Sequence, residues 1–183
     1  MTAPIQIRCL ETIGDREIRE LSDLLIDCVQ GGASVGFMLP IGRATAHEFW
    51  QSVAMSAVRG ERLLLVAQDA AGIIVGAVQI IMKQPENQPH RADLAKMLVS
   101  RRMRKQGIGA ALLRAAENAA HTAGKTLLVL DTANPDAARL YEMLGWRRCG
   151  VIPGYALLPQ GGLCDTTVFY RDMMGPSGGG IQH

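Results

Sequence analysis

The chain has 183 residues, 48% of them hydrophobic and 20% charged, and its 19 Lys and Arg against 17 Asp and Glu leave a formal charge of +2. That balance allows a buried core and excludes wholesale disorder. Near-neutral charge and only 4% aromatic residues argue against a nucleic-acid module, and no apolar run reaches the roughly 18–20 residues that cross a bilayer.

The length fits one domain, expected over residues 1–174, followed by a flexible Gly-rich tail over 175–183. Met1-Thr2-Ala3-Pro4 lacks the basic-then-apolar pattern of a secretory leader, so a cytoplasmic protein is expected. Ile5 to Leu10 alternates apolar and polar residues, as a half-buried strand does. Between Asp15 and Val29, the residues Ile18, Leu21, Leu24, Leu25 and Cys28 fall three or four apart, a helical stripe that Gly31 to Gly36 ends in a loop. A second helix is expected over Arg43 to Arg59, with Thr45 as N-cap and Glu48 completing a capping box. Arg62 to Gln68 and Ile73 to Met82 flank Asp69-Ala70-Ala71-Gly72 and predict a β-hairpin.

Pro85 to Pro89 reads as loop, and Ala92 to Val99 as the next strand. Ile108, Ala111, Leu112, Ala115 and Ala119 line one face of a helix ending near Ala123. Lys125 to Asp131 is almost wholly aliphatic, as expected of a strand covered on both faces. Pro135 suits the first turn of a helix that stops before Gly145, and strands over Arg147 to Val151 and Thr166 to Arg171 complete the order βααβββαβαββ. The expected class is α/β (α+β), with one mixed, mostly antiparallel sheet carrying helices on both faces. Cys9, Cys28, Cys149 and Cys164 form no C-x-x-C pair and have no His partner at zinc spacing. Reduced thiols and no metal are therefore expected.

Basic residues cluster once, at Lys96, Arg101, Arg102, Arg104 and Lys105, which suits a local anion better than a polyanion. The strand containing Met97-Leu98-Val99 runs into Arg104-Lys105-Gln106-Gly107-Ile108-Gly109-Ala110 and then a helix. A helix N-terminus offers unpaired N–H groups and partial positive charge, and glycines let an anion approach the backbone. A pyrophosphate site is the functional reading, and a turn that merely needs glycine is the bland one. The segment fits neither a Walker loop nor a dinucleotide fingerprint.

About 30 residues further on, Asn134 to Trp146 reads N-x-x-A-x-x-L-Y-x-x-x-G-W. With the R-x-x-G-x-G turn, in this order and spacing, the chain resembles the GNAT superfamily of acetyl-CoA-dependent N-acetyltransferases. Gly31 to Met38, Arg91-Ala92-Asp93 and Pro153-Gly154-Tyr155 look, more narrowly, like the tabtoxin-resistance acetyltransferases of that superfamily.

The resemblance implies a splayed parallel strand pair holding acetyl-CoA as co-substrate, with no metal. Met97, Leu98 and Val99 would pair with the pantetheine arm, Arg104 to Ala110 would hold the pyrophosphate, and Asn134 would orient the cofactor. Tyr141 would give a proton to the departing thiolate; the alternative is a ring that only packs. Asp93 and Asp131 would take the amine's proton, bind an ammonium, or simply finish their strands. Ser34, Phe37, Met38 and Tyr155 would wall the acceptor pocket, and packing roles are equally open for them. The partner implied is a small-molecule amine, with a toxin or antibiotic as one prospect, and neither nucleic acid nor membrane. Family members are often homodimers. A protein N-terminal or lysine acetyltransferase, or a non-catalytic CoA-binding sensor, are the alternatives.

Overall fold

A computed structural model describes residues 5–174. The expected tail over 175–183 and the reading of residues 1–4 lie outside them. The chain runs β1 (Gln6–Cys9), α1 (Asp15–Gln30), α2 (Arg43–Val58), β2 (Arg62–Gln68), β3 (Ile74–Ile81) and β4 (Arg91–Val99). A single 3-10 turn at Arg101–Met103 leads to α3 (Ile108–Thr122), β5 (Leu127–Thr132), α4 (Pro135–Met143), β6 (Arg147–Leu157) and β7 (Leu163–Asp172). The expected order βααβββαβαββ therefore stands. Among the described residues no helix is long and apolar enough to cross a membrane.

The seven strands form one sheet in the order β1-β2-β3-β4-β5-β7-β6, and only β4–β5 is parallel. One face packs α3 through Leu112, Leu113, Ala116 and Ala120 against Val78, Ile80, Ala92, Leu94 and Leu128. The other packs α1 and α2 through Leu21, Leu25, Trp50 and Val53 against Leu64, Val66, Ala77 and Leu98. Gly76 on β3 lets α3 come close: a Cβ there would stand 3.0 Å from Leu112 Cδ1 and 3.2 Å from the Leu98 carbonyl.

Local chemistry moved several expected boundaries. α2 begins after Gly42, whose carbonyl already accepts from the Ala46 N–H at 3.2 Å, so Thr45 lies inside the first turn and its capping box does not form. A capping carboxylate appears at α1 instead, where Glu17 Oε2 accepts from the Gly14 N–H at 3.0 Å. β5 starts at Leu127, because buried Lys125 turns back to donate to the carbonyls of Met82 (3.0 Å) and Pro89 (2.7 Å). β6 continues to Leu157, so Pro153-Gly154-Tyr155 is strand rather than loop. It is the edge strand, where a proline removes no ladder bond.

The decisive irregularity is in β4. Its pairing with β5 covers Arg91↔Leu127, Ala92↔Leu128 and Asp93↔Val129 and then stops. Against β3, Ala77 faces Leu98 while Gln79 faces Ala95, so Val78 stands opposite both Lys96 and Met97. That surplus residue is a β-bulge, and Lys96 adopts φ 52°, the left-handed region that lysine rarely occupies. A bulged strand bends, and here it bends away from β5.

Candidate active site

Beyond Asp93 the β5-facing edge of β4 has no strand beside it, and the Val99 carbonyl there is met only by side chains, Arg104 Nε at 3.4 Å and Cys28 Sγ at 3.5 Å. The chain then enters an exposed turn in which Lys105 (φ 61°) and Gly107 (φ 79°) are both left-handed. Gly107 caps α3, and its carbonyl accepts from the Ala111 N–H at 3.0 Å. The N–H groups of Gly107, Ile108, Gly109 and Ala110 therefore have no partner within the helix. No atom lies within 4 Å of the place a Gly107 Cβ would take, so conformation rather than crowding calls for glycine there. Gly109 has a different reason: its Cβ would stand 3.3 Å from Leu140 Cδ2, so it lets α4 close onto α3.

The five clustered cations separate. Arg101 is tied to Asp27 at the end of α1, through its N–H at 2.9 Å and Nε at 2.8 Å, and anchors that helix rather than a ligand. Lys96 turns to the α2 side of the sheet. Arg102, Arg104 and Lys105 stay exposed around the turn.

The second motif builds α4 and its exit. Asn134 is the N-cap, its Oδ1 accepting from the N–H groups of Asp136 (2.8 Å) and Ala137 (3.3 Å). No hydrogen bond from its side-chain NH2 is found among the described residues. Tyr141 is 4% exposed, its ring edge-on to Phe169 at 5.8 Å and tilted against Trp146 at 6.0 Å. Trp146 in turn donates to Glu117 of α3 at 2.7 Å. No hydrogen bond from the Tyr141 hydroxyl is found among the described residues. Burial, then the Asp131 carboxylate, push this phenol up to about 12.

Ala92, Leu94, Leu128 and Leu130 all face α3, so Asp93 and Asp131 share the opposite face, on the two arms of the opening. Neither carboxylate is bare. Asp93 pairs with Arg91 and accepts from Gln84 Nε2 at 3.0 Å, while Asp131 accepts from Thr166 Oγ1 at 2.8 Å. Over this face runs the segment after α1. Phe37 meets Phe49 of α2 edge-on at 5.2 Å. Ser34 donates to the Leu157 carbonyl at 3.3 Å and receives Cys164 Sγ at 3.7 Å, and the Leu39 N–H reaches the Pro159 carbonyl at 2.8 Å. The segment is thus fastened to the β6–β7 hairpin. Met38 (46% exposed) and Tyr155 (56% exposed) lie further out.

Sequence reasoning missed Arg62, Gln79 and Phe49, which join Lys96 beneath this segment. The one available signal was a Gln inside the aliphatic run of β3.

A model of the acetyltransferase (GNAT) family matches residues 22–146, which include the turn, both carboxylates and the Asn134 motif. The chain belongs to the GNAT family. As such it is an acetyl-CoA-dependent acyltransferase. Over 129 residues it is 28% identical to an uncharacterized N-acetyltransferase from the hisH-hisA intergenic region of Azospirillum brasilense, spanning 69% of this chain and 74% of that one. Solved structures share the fold. An acetyltransferase from Salmonella typhimurium, determined with acetyl-CoA, superposes with TM-score 0.76 at 15% identity over 96% of each chain. A phosphinothricin acetyltransferase from Sinorhizobium meliloti, also with acetyl-CoA, gives 0.74 at 19% identity over 94% of this chain and 89% of that one. The GNAT co-substrate fits what this chain offers: amides at the start of α3 with no helical partner, a β4 edge with no strand beside it, and a Tyr141 hydroxyl with no hydrogen-bond partner among the described residues.

Proposed function

We propose that this GNAT enzyme acetylates a primary amine of a small molecule by direct attack while both substrates are bound. The observation that carries this reading is the fastening of the 31–42 segment to the β6–β7 hairpin. It roofs the acceptor side of the opening, which favours a bounded pocket over the open groove a peptide needs.

Acetyl-CoA, when bound, supplies the acyl group as a thioester. The amides of Lys105 to Ala110, with Arg104 and Lys105, hold diphosphate oxygens. The exposed edge of β4 at Met97, Leu98 and Val99 pairs with the amide-bearing arm as an added strand would. Asn134 directs its NH2 at the cofactor while its oxygen caps α4. An alkylammonium must lose a proton before its nitrogen can attack, and Asp131 and Asp93 stand on the face from which it approaches. Tyr141 keeps its proton through neutral pH and delivers it to the departing sulfur. No cysteine nucleophile takes part: Cys28 is buried, with its thiol pushed up to about 11, and Cys164 is engaged with Ser34. The sequence likeness of Gly31 to Met38 and Arg91-Ala92-Asp93 to tabtoxin-resistance enzymes makes an amine-bearing toxin one candidate acceptor. A cytoplasmic setting accords with four free thiols.

The test is a panel of small primary amines with acetyl-CoA, following thiol release and the acetylated product by mass spectrometry. At least one amine should be turned over. Tight acetyl-CoA binding without thiol release from any amine would favour a sensor and refute the proposal.

A further inference from the structure

Three polar side chains on neighbouring strands beneath α2 have no part in the chemistry above. The registers Leu64↔Gln79 and Gln79↔Ala95 set Arg62 of β2, Gln79 of β3 and Lys96 of β4 side by side. Arg62 Nη1 donates to Gln79 Oε1, which fixes both side chains. What remains of them is donors alone. Arg62 Nε and Gln79 Nε2 are buried with no acceptor among the described residues, and Gln79 is 0% exposed. Lys96 makes no ion pair among the described residues. Its Nζ stands 5.7 Å from the ring centre of Phe49 and 6.0 Å from that of Phe37, so aromatic faces take the place of a counter-ion.

Of the two nearby carboxylates, Asp93 is paired with Arg91 and Gln84, and Asp131, which accepts from the Thr166 hydroxyl, acts on Lys96 only from beyond ion-pair distance. Buried donors without acceptors are costly, and so is a desolvated cation without an anion. The bulge adds a second, independent sign. A left-handed lysine is strained backbone, and the strain turns this one side chain out of the strand's alternation toward Phe37 and Phe49. Burial and then Arg62 pull the ammonium below the ordinary lysine range while Asp131 works against them, so an anion seated beside it would relieve the desolvation.

We propose that Lys96, backed by Arg62 and Gln79, docks a carboxylate carried by the acceptor itself, which makes the substrate an amino acid or a close analogue. The acceptor then lies with its carboxylate on the β2–β4 side and its amine toward Asp131 and the mouth of the splayed strands. This inference rests on the acetyl-transfer reading and narrows its substrate class.

The experiment pairs free amino acids (α, β and γ) with their amides, so that only the carboxylate differs. Wild type, Lys96→Met and Lys96→Arg are assayed for thiol release, and acid and amide binding are measured by calorimetry in the presence of CoA. Met keeps the stem against the two phenylalanines, and an unchanged acetyl-CoA affinity reports that the variant is folded. Wild type should favour the best acid over its amide by about 10- to 100-fold in kcat/KM, the range of a charge-assisted hydrogen bond. Lys96→Met should erase that preference through KM while leaving the amide within about three-fold, and Lys96→Arg should restore part of it. A wild type indifferent to the carboxylate, or a Lys96→Met that weakens acid and amide equally, overturns the proposal. Absence of thiol release from every amine would instead strike the acetyl-transfer reading, and the calorimetric comparison would still decide the role of Lys96.

Discussion

Replacing Tyr141 with Phe removes one oxygen and keeps the ring on Phe169 and Trp146. The hydroxyl has no hydrogen-bond partner among the described residues, so its loss orphans none of them, and stability should change by no more than about 1 kcal/mol. Catalysis should suffer far more. The phenol holds its proton up to about 12, whereas the thiol it serves titrates near 8.5, so throughout the working range Tyr141 is charged with a proton and the departing sulfur needs one. Positioned general acids contribute about 10²–10⁴-fold, or about 2.7–5.4 kcal/mol at 1.36 kcal/mol per decade. Initial rates of thiol release at saturating acetyl-CoA should fall at least about 100-fold in Tyr141→Phe, while the acetyl-CoA Kd stays within about three-fold. The raised phenol also leaves a mark on stability. As pH rises from about 10 toward about 12, the unfolded chain releases this proton and the folded chain does not. Wild type should therefore lose up to about 2.7 kcal/mol relative to Tyr141→Phe across that window. A variant with kcat within three-fold of wild type, or one whose lost rate is matched by lost acetyl-CoA affinity, would refute the assignment.

Gly76→Ala would press a methyl against Leu112, Ile108 and the Leu98 carbonyl. It should cost about 1–3 kcal/mol, at roughly 2–4 °C of Tm per kcal/mol, in a thermal melt. Gly107→Ala meets no atom but must hold φ 79°. About 1–2 kcal/mol of strain should appear as roughly ten-fold weaker acetyl-CoA binding by calorimetry, with Gly107→Asn milder. Asn134→Ala removes the cap of α4 and should lower stability by about 0.5–2 kcal/mol in denaturant unfolding. In a thiol titration near pH 8, exposed Cys9 and Cys149 should react first, and Cys28, buried and with its thiol near 11, only after unfolding.

The order of elements could be read directly because each helix carries its own stripe and each strand its own alternation or aliphatic run. The turn into α3 and the Asn134 motif were equally legible, being contiguous in the chain. Boundaries failed where a backbone group pre-empted a side chain, as when the Gly42 carbonyl took the role expected near Thr45. They failed again past Val151, where the expected strand ended but Pro153 and Gly154 continue it on an edge that tolerates them. The polar floor was illegible for another reason. Arg62, Gln79 and Lys96 are far apart in sequence, and only the β2–β3–β4 register joins them. Lys96 further misled by its neighbours, since its place near Arg101 to Lys105 suggested one basic cluster, and nothing in a lysine announces a left-handed residue.

The extra residue in β4 makes nine residues obey two opposite parities. Ala92 and Leu94 point toward α3 before it, and Met97 and Val99 do so after it. Delete Lys96 and a single even–odd rhythm would return: the strand could lie flat along its parallel neighbour and zip the cleft shut. The mouth of this enzyme is therefore not carved by bulky walls. It is a deliberate miscount, and a loss of one amino acid at that point should yield a better-paired sheet with nowhere to work.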